Sequence, residues 1–486
     1  MTGPEAEAKM RATDSLLWRI EQDPVLRSTV TAVSLLDRAP NWDQLRRRMI
    51  SASYRIPHLR QVVVDPPLGV GSPSWAEATE IDIDYHLRRV RLPRPATLAS
   101  VLDFAAHEAM REFDRARPLW EFTVIEGVGD GAAFIQKFHH SMTDGIGGMR
   151  LALEILDTER HPRVNAASIT PLRREEREED VRPSRPVGRQ IESLLGFAGT
   201  FGRRAVNFPV AFTSAALRSA LTPVSSALGA AENLRWSARL VAPVSEPLSP
   251  IMRSRSTNLV FRAFDVDFER LRDAGHRADG SLNDAFVAAV AAGLRRYHEA
   301  NGAPVTSLRM TLPINIRSEN DTAAGNRFTP VRFVVPLEPS DPATMVAAVS
   351  RLVHEWRDGP ALGLTDALAS ILNALPTQVV TSIFASMLRN VDFVATNIPG
   401  IPIPVYLAGA KVNRQYAFAP PSGASVNVAL VSHVGHCCIG VNIDPKAVPS
   451  TELLVSCLEE GFEDVLSLAP RSGKDASGVE QAGGGL

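Results

Sequence analysis

Residues His139–Gly148 read HHSMTDGIGG, and the run leading into them, Ala132–His140, reads AAFIQKFHH. Apolar residues dominate that run, Gln136 and Lys137 interrupt it, and Gly131 marks the turn before it. This pattern predicts a strand. SMTDGIGG has turn chemistry, and MRLALEILD (Met149–Asp157) has helical spacing. The two histidines therefore stand where a strand ends and a loop begins. There a rigid element can aim a side chain while the loop leaves it reachable. The chain has eleven histidines in 486 residues, so an adjacent pair followed by Asp144 and Gly145 needs a chemical reason.

Successive residues of a strand point to opposite faces. His139 and His140 are thus expected to divide their work, with one imidazole reacting and the other packed and hydrogen-bonded. Histidine suits proton transfer near neutral pH because its unperturbed pKa is about 6.5. Asp144 has two open roles: orienting the working ring, or forming a salt bridge that shapes the loop. Its place in a tight turn just beyond the pair favours the second. Gly145 leaves room at the mouth of the site for a substrate.

Composition narrows the class. Apolar residues are 45% and charged residues 22%, the profile of an ordinary globular enzyme. A net charge of -2 gives no basic field, so nucleic acid is not expected as a partner. Three cysteines, Cys437, Cys438 and Cys457, are too few for a disulfide framework and fit a reducing cytoplasm. His433, His436, Cys437 and Cys438 resemble metal ligands at first sight. Adjacent cysteines in a strand-like run face opposite ways, so no shared metal site is expected and VNVALVSHVGHCCIGVNID (Val426–Asp444) reads as a buried strand. The N-terminus lacks the apolar core of a signal peptide, and no run has the roughly 18 apolar residues of a spanning helix.

An α/β fold is expected from the alternation of elements. Residues 1–158 form a first domain carrying the histidine pair. It contains helical stretches DSLLWRIEQ, NWDQLRRRMISASY and VLDFAAHEAMREFD and strand-like STVTAVSLLD. Residues 159–255 form a charged linker and helical connector. Its part at 190–235 is open to two readings: helices packing on the body, or an amphipathic surface docking on a membrane or lipid droplet. Residues 256–470 form a second α/β domain. In it SLNDAFVAAVAAGLRRYHEA is a helix that Ser281 or Asn283 could cap. Residues 471–486 are small and polar and read as a disordered tail.

HHSMTDG resembles the HHxxxDG pattern shared by chloramphenicol acetyltransferase, peptide-synthetase condensation domains and the wax ester synthase/diacylglycerol acyltransferases. Further blocks are similar to the last of these in its bacterial form. They are ATDSLLWRIE and PHLRQ, RPLWEFTVIEG (Arg117–Gly127), LNDAFVAAV (Leu282–Val290), LPINIR (Leu312–Arg317), GNRF (Gly325–Phe328) and TNIPGIP (Thr396–Pro402). They occur in the family's order over nearly the whole chain. Two departures stand out: Ile401 where proline is common, and SHVGH where an SY-x-G sequence is expected.

The resemblance implies two chloramphenicol-acetyltransferase-like domains with mixed sheets and an active-site tunnel between them. It implies transfer of a long acyl chain from acyl-CoA, as substrate, to diacylglycerol or a fatty alcohol, with no resident cofactor and no metal. His140 would be the general base, with His139, Asp144 and Gly145 completing the motif. Asn283, Thr396 and Asn397 are candidates to stabilise the oxyanion, and Trp120 could line the acyl channel or only pack the domain. The absence of a GxSxG elbow argues against a covalent acyl-enzyme. Two other classes compete: a condensation-type domain using carrier-protein thioesters, and a non-catalytic lipid-binding or droplet-coating protein. The expected location is cytoplasmic, including the periphery of the inner membrane or of lipid droplets.

Overall fold

The histidine strand lies at the centre of a six-stranded sheet whose two faces are both covered. The computed structural model describes residues 8–69, 71–142, 148, 152–161, 244, 246–315, 328–338, 341–357, 372–373 and 375–470. In chain order the first half has β1 (Ala8–Lys9), α1 (Ala12–Ile20), β2 (Thr29–Leu36), α2 (Trp42–Arg55), β3 (Gln61–Val64), β4 (Ser74–Glu77), α3 (Ile83–His86), β5 (Leu87–Ala96), α4 (Leu98–Met110), β6 (Trp120–Val128) and β7 (Gly131–His139). The second half has β8 (Val260–Asp267), α5 (Phe268–Arg277), α6 (Leu282–Ala300), β9 (Ser307–Asn315), β10 (Phe328–Pro336), α7 (Pro342–Arg357) and α8 (Thr377–Leu388). It continues with β11 (Phe393–Ile398), β12 (Tyr406–Leu407), β13 (Ala410–Phe418), β14 (Val426–His433), β15 (His436–Ile443) and α9 (Thr451–Leu466).

The first large sheet has the order β12-β13-β2-β7-β6-β5. All its neighbours are antiparallel except β5 and β6, which are parallel and joined through α4. A parallel pair needs such a crossover helix. Alternation along β7 sends Phe134 and Phe138 into a core with Trp120, Phe122 and the α2 residues Leu45, Met49 and Ala52. It sends Ala133 and Ile135 to the other face, against Val101, Leu102, Ala105 and Ala106 of α4. Burial on both faces explains why AAFIQKFHH is apolar almost throughout rather than alternating.

The second large sheet has the order β10-β9-β11-β14-β15-β8 and is also mixed, with β11 parallel to both β9 and β14. The fold is therefore α/β with mixed sheets. One feature crosses the expected division of the chain. β12 and β13 come from the second half but complete the first sheet, with β13 pairing along β2 from Thr31↔Phe418 to Leu36↔Val412. The α4-side core continues through this exchange to Phe261, Tyr416, Phe418 and Cys438. Phe261 and Phe418 stack with ring centroids 4.2 Å apart. The described residues of Met1–Arg160 and Ala231–Leu486 form one compact unit. Most of the expected connector 159–255, its segment 190–235, and the tail 471–486 lie outside the described residues.

Two expectations change. Val426–Asp444 is not one strand but a hairpin: β14 and β15 pair antiparallel from Val426↔Ile443 to His433↔His436. The two residues between them, Val434 and Gly435, both have positive φ (42° and 80°), the signature of a tight two-residue turn. The α6 cap is settled as Ser281, which accepts from the Asp284 amide while the Asp284 carboxylate accepts from the Ser281 amide. Asn283 is half-buried inside the first turn and is not the cap.

Candidate active site

β7 ends at His139, and His140–Met142 form a single 3-10 turn immediately after it. The two rings have different surroundings, although the strand ends at His139 and alternation does not extend to His140. His139 is completely buried. Its Nδ1 accepts the Ser141 amide N–H at 3.1 Å and lies 2.7 Å from the Ser141 hydroxyl. An amide can only donate, so Nδ1 carries a lone pair and the ring proton sits on Nε2. Nε2–H donates to the Glu21 carboxylate. Trp18 and Phe113 close the ring in edge-on, with centroids 5.5 and 6.3 Å away. Both nitrogens of His139 are thus committed.

Burial pushes the Glu21 carboxyl up, but the hydrogen bond from His139, with Arg115 and Arg27 nearby, outweighs it and holds the group below the usual range. Glu21 therefore stays ionised through neutral pH. Arg27 also donates to the Met110 carbonyl at the end of α4 and to Glu112 at 2.8 Å. Arg115 lies over the Trp18 ring at 4.4 Å, and Trp18 Nε1 donates to Asp65 at 2.6 Å.

His140 is half-buried, and its backbone N–H donates to the Ser28 carbonyl at 2.8 Å. The flanking peptides are held as well. The His139 amide donates to the Leu119 carbonyl at 3.0 Å, and His58 Nδ1–H donates to the Met142 carbonyl at 3.0 Å. Burial lowers the His58 pKa, with the Met142 contact opposing it. Next to Ser28, Thr29 sits opposite His139 in the sheet register and lines a small, solvent-open groove. Arg27 and Met110 of the first half and Arg255, Ser256, Pro421 and Asp444 of the second half share its wall. Two halves of the chain thus meet one residue from His140's backbone partner.

Asp144 and Gly145 lie outside the described residues. Trp120 is fully buried in the α2-side core, stacked on His86 at 4.5 Å, and donates its indole N–H to the Leu59 carbonyl at 3.0 Å. Its surface is taken up by packing in this structure. Thr396 and Asn397 are half-buried at the C-terminal end of β11, opposite Ala429 and Leu430. In the same TNIPG block, a Cβ on Gly400 would lie 1.7 Å from the Ser432 carbonyl oxygen, so that glycine answers a close backbone approach. His433 faces carbonyls with both nitrogens, Ile401 at 3.0 Å and Val412 at 3.1 Å.

Sequence reasoning missed Glu21 and Ser141 as partners of His139. Glu21 lies 118 positions away, and only its place in the ATDSLLWRIE block could have drawn attention to it. A second buried pair sits one strand pitch further along the same face. Lys137 Nζ is 3.6 Å from Glu121 and 4.4 Å from the Phe113 centroid. Burial lowers the Lys137 pKa, with Glu121 opposing the shift.

Comparison with known proteins places this geometry. Residues 10–286 match the wax ester synthase/diacylglycerol acyltransferase catalytic domain, and residues 324–465 match the WS/DGAT C-terminal domain. The chain is 36% identical over 468 residues to a putative diacylglycerol O-acyltransferase of Mycobacterium tuberculosis strain H37Rv, covering 96% of this chain and 93% of that protein. It is 25% identical over 402 residues to the O-acyltransferase WSD of Acinetobacter baylyi, covering 81% and 84%. The fold resembles the wax ester synthase/diacylglycerol acyltransferase of Marinobacter aquaeolei VT8, with a TM-score of 0.62 at 19% identity over 95% of this chain and 99% of that one. It also resembles the first condensation domain of the calcium-dependent antibiotic synthetase, with a TM-score of 0.58 at 13% identity and 96% coverage of both chains. The family matches define an acyltransferase, and the solved structures share its fold. The chain belongs to the wax ester synthase/diacylglycerol acyltransferase family.

Proposed function

We propose that this acyltransferase moves a long-chain acyl group from acyl-CoA to the free hydroxyl of diacylglycerol, and to fatty alcohols by the same chemistry. His140 is the general base. It takes the proton of the acceptor hydroxyl as that oxygen attacks the thioester carbonyl. The tetrahedral oxyanion collapses, the C–S bond breaks, and the departing thiolate takes the proton back from His140. General acid–base help of this kind is worth about 100- to 10,000-fold in rate. The remainder comes from holding the two substrates in line and from stabilising the oxyanion, for which Asn283, Thr396 and Asn397 are the candidates. Asp144 and Gly145 complete the motif beyond the base.

The observation that carries this reading is the division between the two rings. His139 has both nitrogens committed to Glu21 and Ser141, while His140 is half-buried at the strand end. The base must be the ring that a substrate can reach. Ser141 is fully buried, so its hydroxyl is out of a substrate's reach, which speaks against its acting as a nucleophile.

Both acceptors partition into lipid, so the reaction is placed at a membrane or droplet surface, with the protein bound peripherally on the cytoplasmic side. No helix among the described residues is long and apolar enough to cross a membrane, and the sequence segment 190–235 is the proposed contact. The test offers purified protein labelled palmitoyl-CoA with diacylglycerol or hexadecanol, separately and with vesicles. Triacylglycerol or wax ester is the expected product. Release of CoA without ester, or inertness toward both alcohols, contradicts the acceptor assignment.

A further inference from the structure

We propose that Glu21 is a positioning residue for acyl transfer: acting through the buried ring of His139, it fixes the backbone that aims His140. This rests on His140 being the base. The chain of contacts is short. Glu21 accepts from His139 Nε2–H, which leaves a lone pair on Nδ1. That lone pair receives the amide of Ser141 at 3.1 Å, the residue directly after His140. The ring of His139 therefore loops around its neighbour and ties down the peptide on its far side.

Two other bonds hold the same turn. The His140 amide is fixed to Ser28 at 2.8 Å, and the Met142 carbonyl to His58 at 3.0 Å. Of the three anchors, the Ser28 bond is backbone to backbone, and the His58 and His139 ties each depend on a tautomer. With the His139 proton on Nδ1, two N–H groups would face each other at hydrogen-bonding distance and the Ser141 amide would be expelled. The carboxylate prevents this, because it can only accept and so holds the proton on Nε2. It is well built for the task. Glu21 is mostly buried, with Arg27 Nε 4.0 Å away to fix it from the other side. Trp18, three residues earlier in the chain, packs its edge on the His139 ring. Glu21 directly follows α1, so the element that carries the carboxylate also carries the aromatic wall.

Glu21 touches neither reacting atom, so its loss should appear in turnover rather than in substrate binding. Partners that orient a working histidine are worth about 10- to 100-fold when removed. Glu21→Ala is expected to lower kcat by about that factor with KM within about two-fold of wild type. Glu21→Gln keeps an oxygen acceptor for Nε2–H and should recover most of the loss. Ser141→Ala keeps the amide and should change kcat only a few-fold. All variants are assayed below their own melting temperatures, with His140→Ala alongside. If His140→Ala is inert and Glu21→Ala turns over at the wild-type rate, the positioning role is wrong while the base assignment stands. A loss confined to KM overturns it equally, as does a Gln variant no better than Ala. If His140→Ala keeps full activity, it is the base assignment that fails.

Discussion

At the scale of single residues, the site follows from what each side chain can donate or accept. The sequence divides His139 from His140 by strand parity, but β7 ends at His139 and His140 begins a 3-10 turn; an amide and a carboxylate occupy the two nitrogens of His139. Trp120 shows where residue-level reading stops. The PLW block marks it as important, but a sequence carries no distance to Leu59 or His86, so lining and packing read alike. Its burial makes a prediction. Trp120→Ala should destabilise the fold by about 3–5 kcal/mol, and Trp120→Phe by about 1 kcal/mol through the unpaired Leu59 carbonyl. Both should leave the acyl-chain preference of the folded fraction unchanged. Denaturant unfolding and product chain-length profiles check this, and a shifted chain-length optimum without lost stability would return Trp120 to the channel.

At the scale of elements, periodicity located helices such as α1, α2, α4 and α6 and the strands β2 and β7, because amphipathic spacing is local, but it gave no sign of β5, α5 or α8. One misreading is instructive. Val426–Asp444 is apolar through its middle, and the turn residues Val434 and Gly435 lack the Asn-Gly chemistry that usually announces a hairpin. A valine at φ 42° is not a sequence signal. The helix pair α6–α9 is a second contact invisible in one segment alone. A Cβ on Gly461 would lie 2.4 Å from the Gly293 nitrogen and 2.6 Å from the Ala289 oxygen. Gly461→Ala must therefore push two helix backbones apart, at a cost of about 1–3 kcal/mol. A lowered denaturant midpoint with wild-type kcat per folded molecule is the expected result, and an unchanged midpoint would show that the crossing is looser than described. α1 has a similar bridging role. Arg19 is buried with all its bonds to neutral acceptors, among them Thr377 at 3.0 Å and the Asn373 side chain at 3.1 Å. The helix that ends beside Glu21 is thereby fastened to the second half of the chain.

At the scale of the whole molecule, two α/β halves and their order along the chain were legible from composition and motif order. The strand exchange was not. β13 pairs with β2 across more than 370 positions of sequence, as in Gln415↔Ser34, and nothing in AKVNRQYAF specifies which sheet it joins. The exchange has a consequence for dissection. A fragment of residues 1–255 keeps β7 beside β2 but lacks β13 on its other edge, and would expose that edge and its apolar neighbours to water. Expressed alone it should be insoluble or unfolded, and co-expression with residues 256–486 should restore both solubility and activity. A soluble, cooperatively folding 1–255 fragment would show that β13 is dispensable to the first sheet. Coupling the halves in this way also brings the second half to the groove beside Ser28 and Thr29.

The central claim is that the reachable ring of His140 moves the proton, and the most direct measurement is the rate of ester formation by His140→Ala under saturating acyl-CoA and acceptor. The variant should fold as wild type and form ester at least about 100-fold more slowly. Ester formation within a few-fold of the wild-type rate would contradict the account.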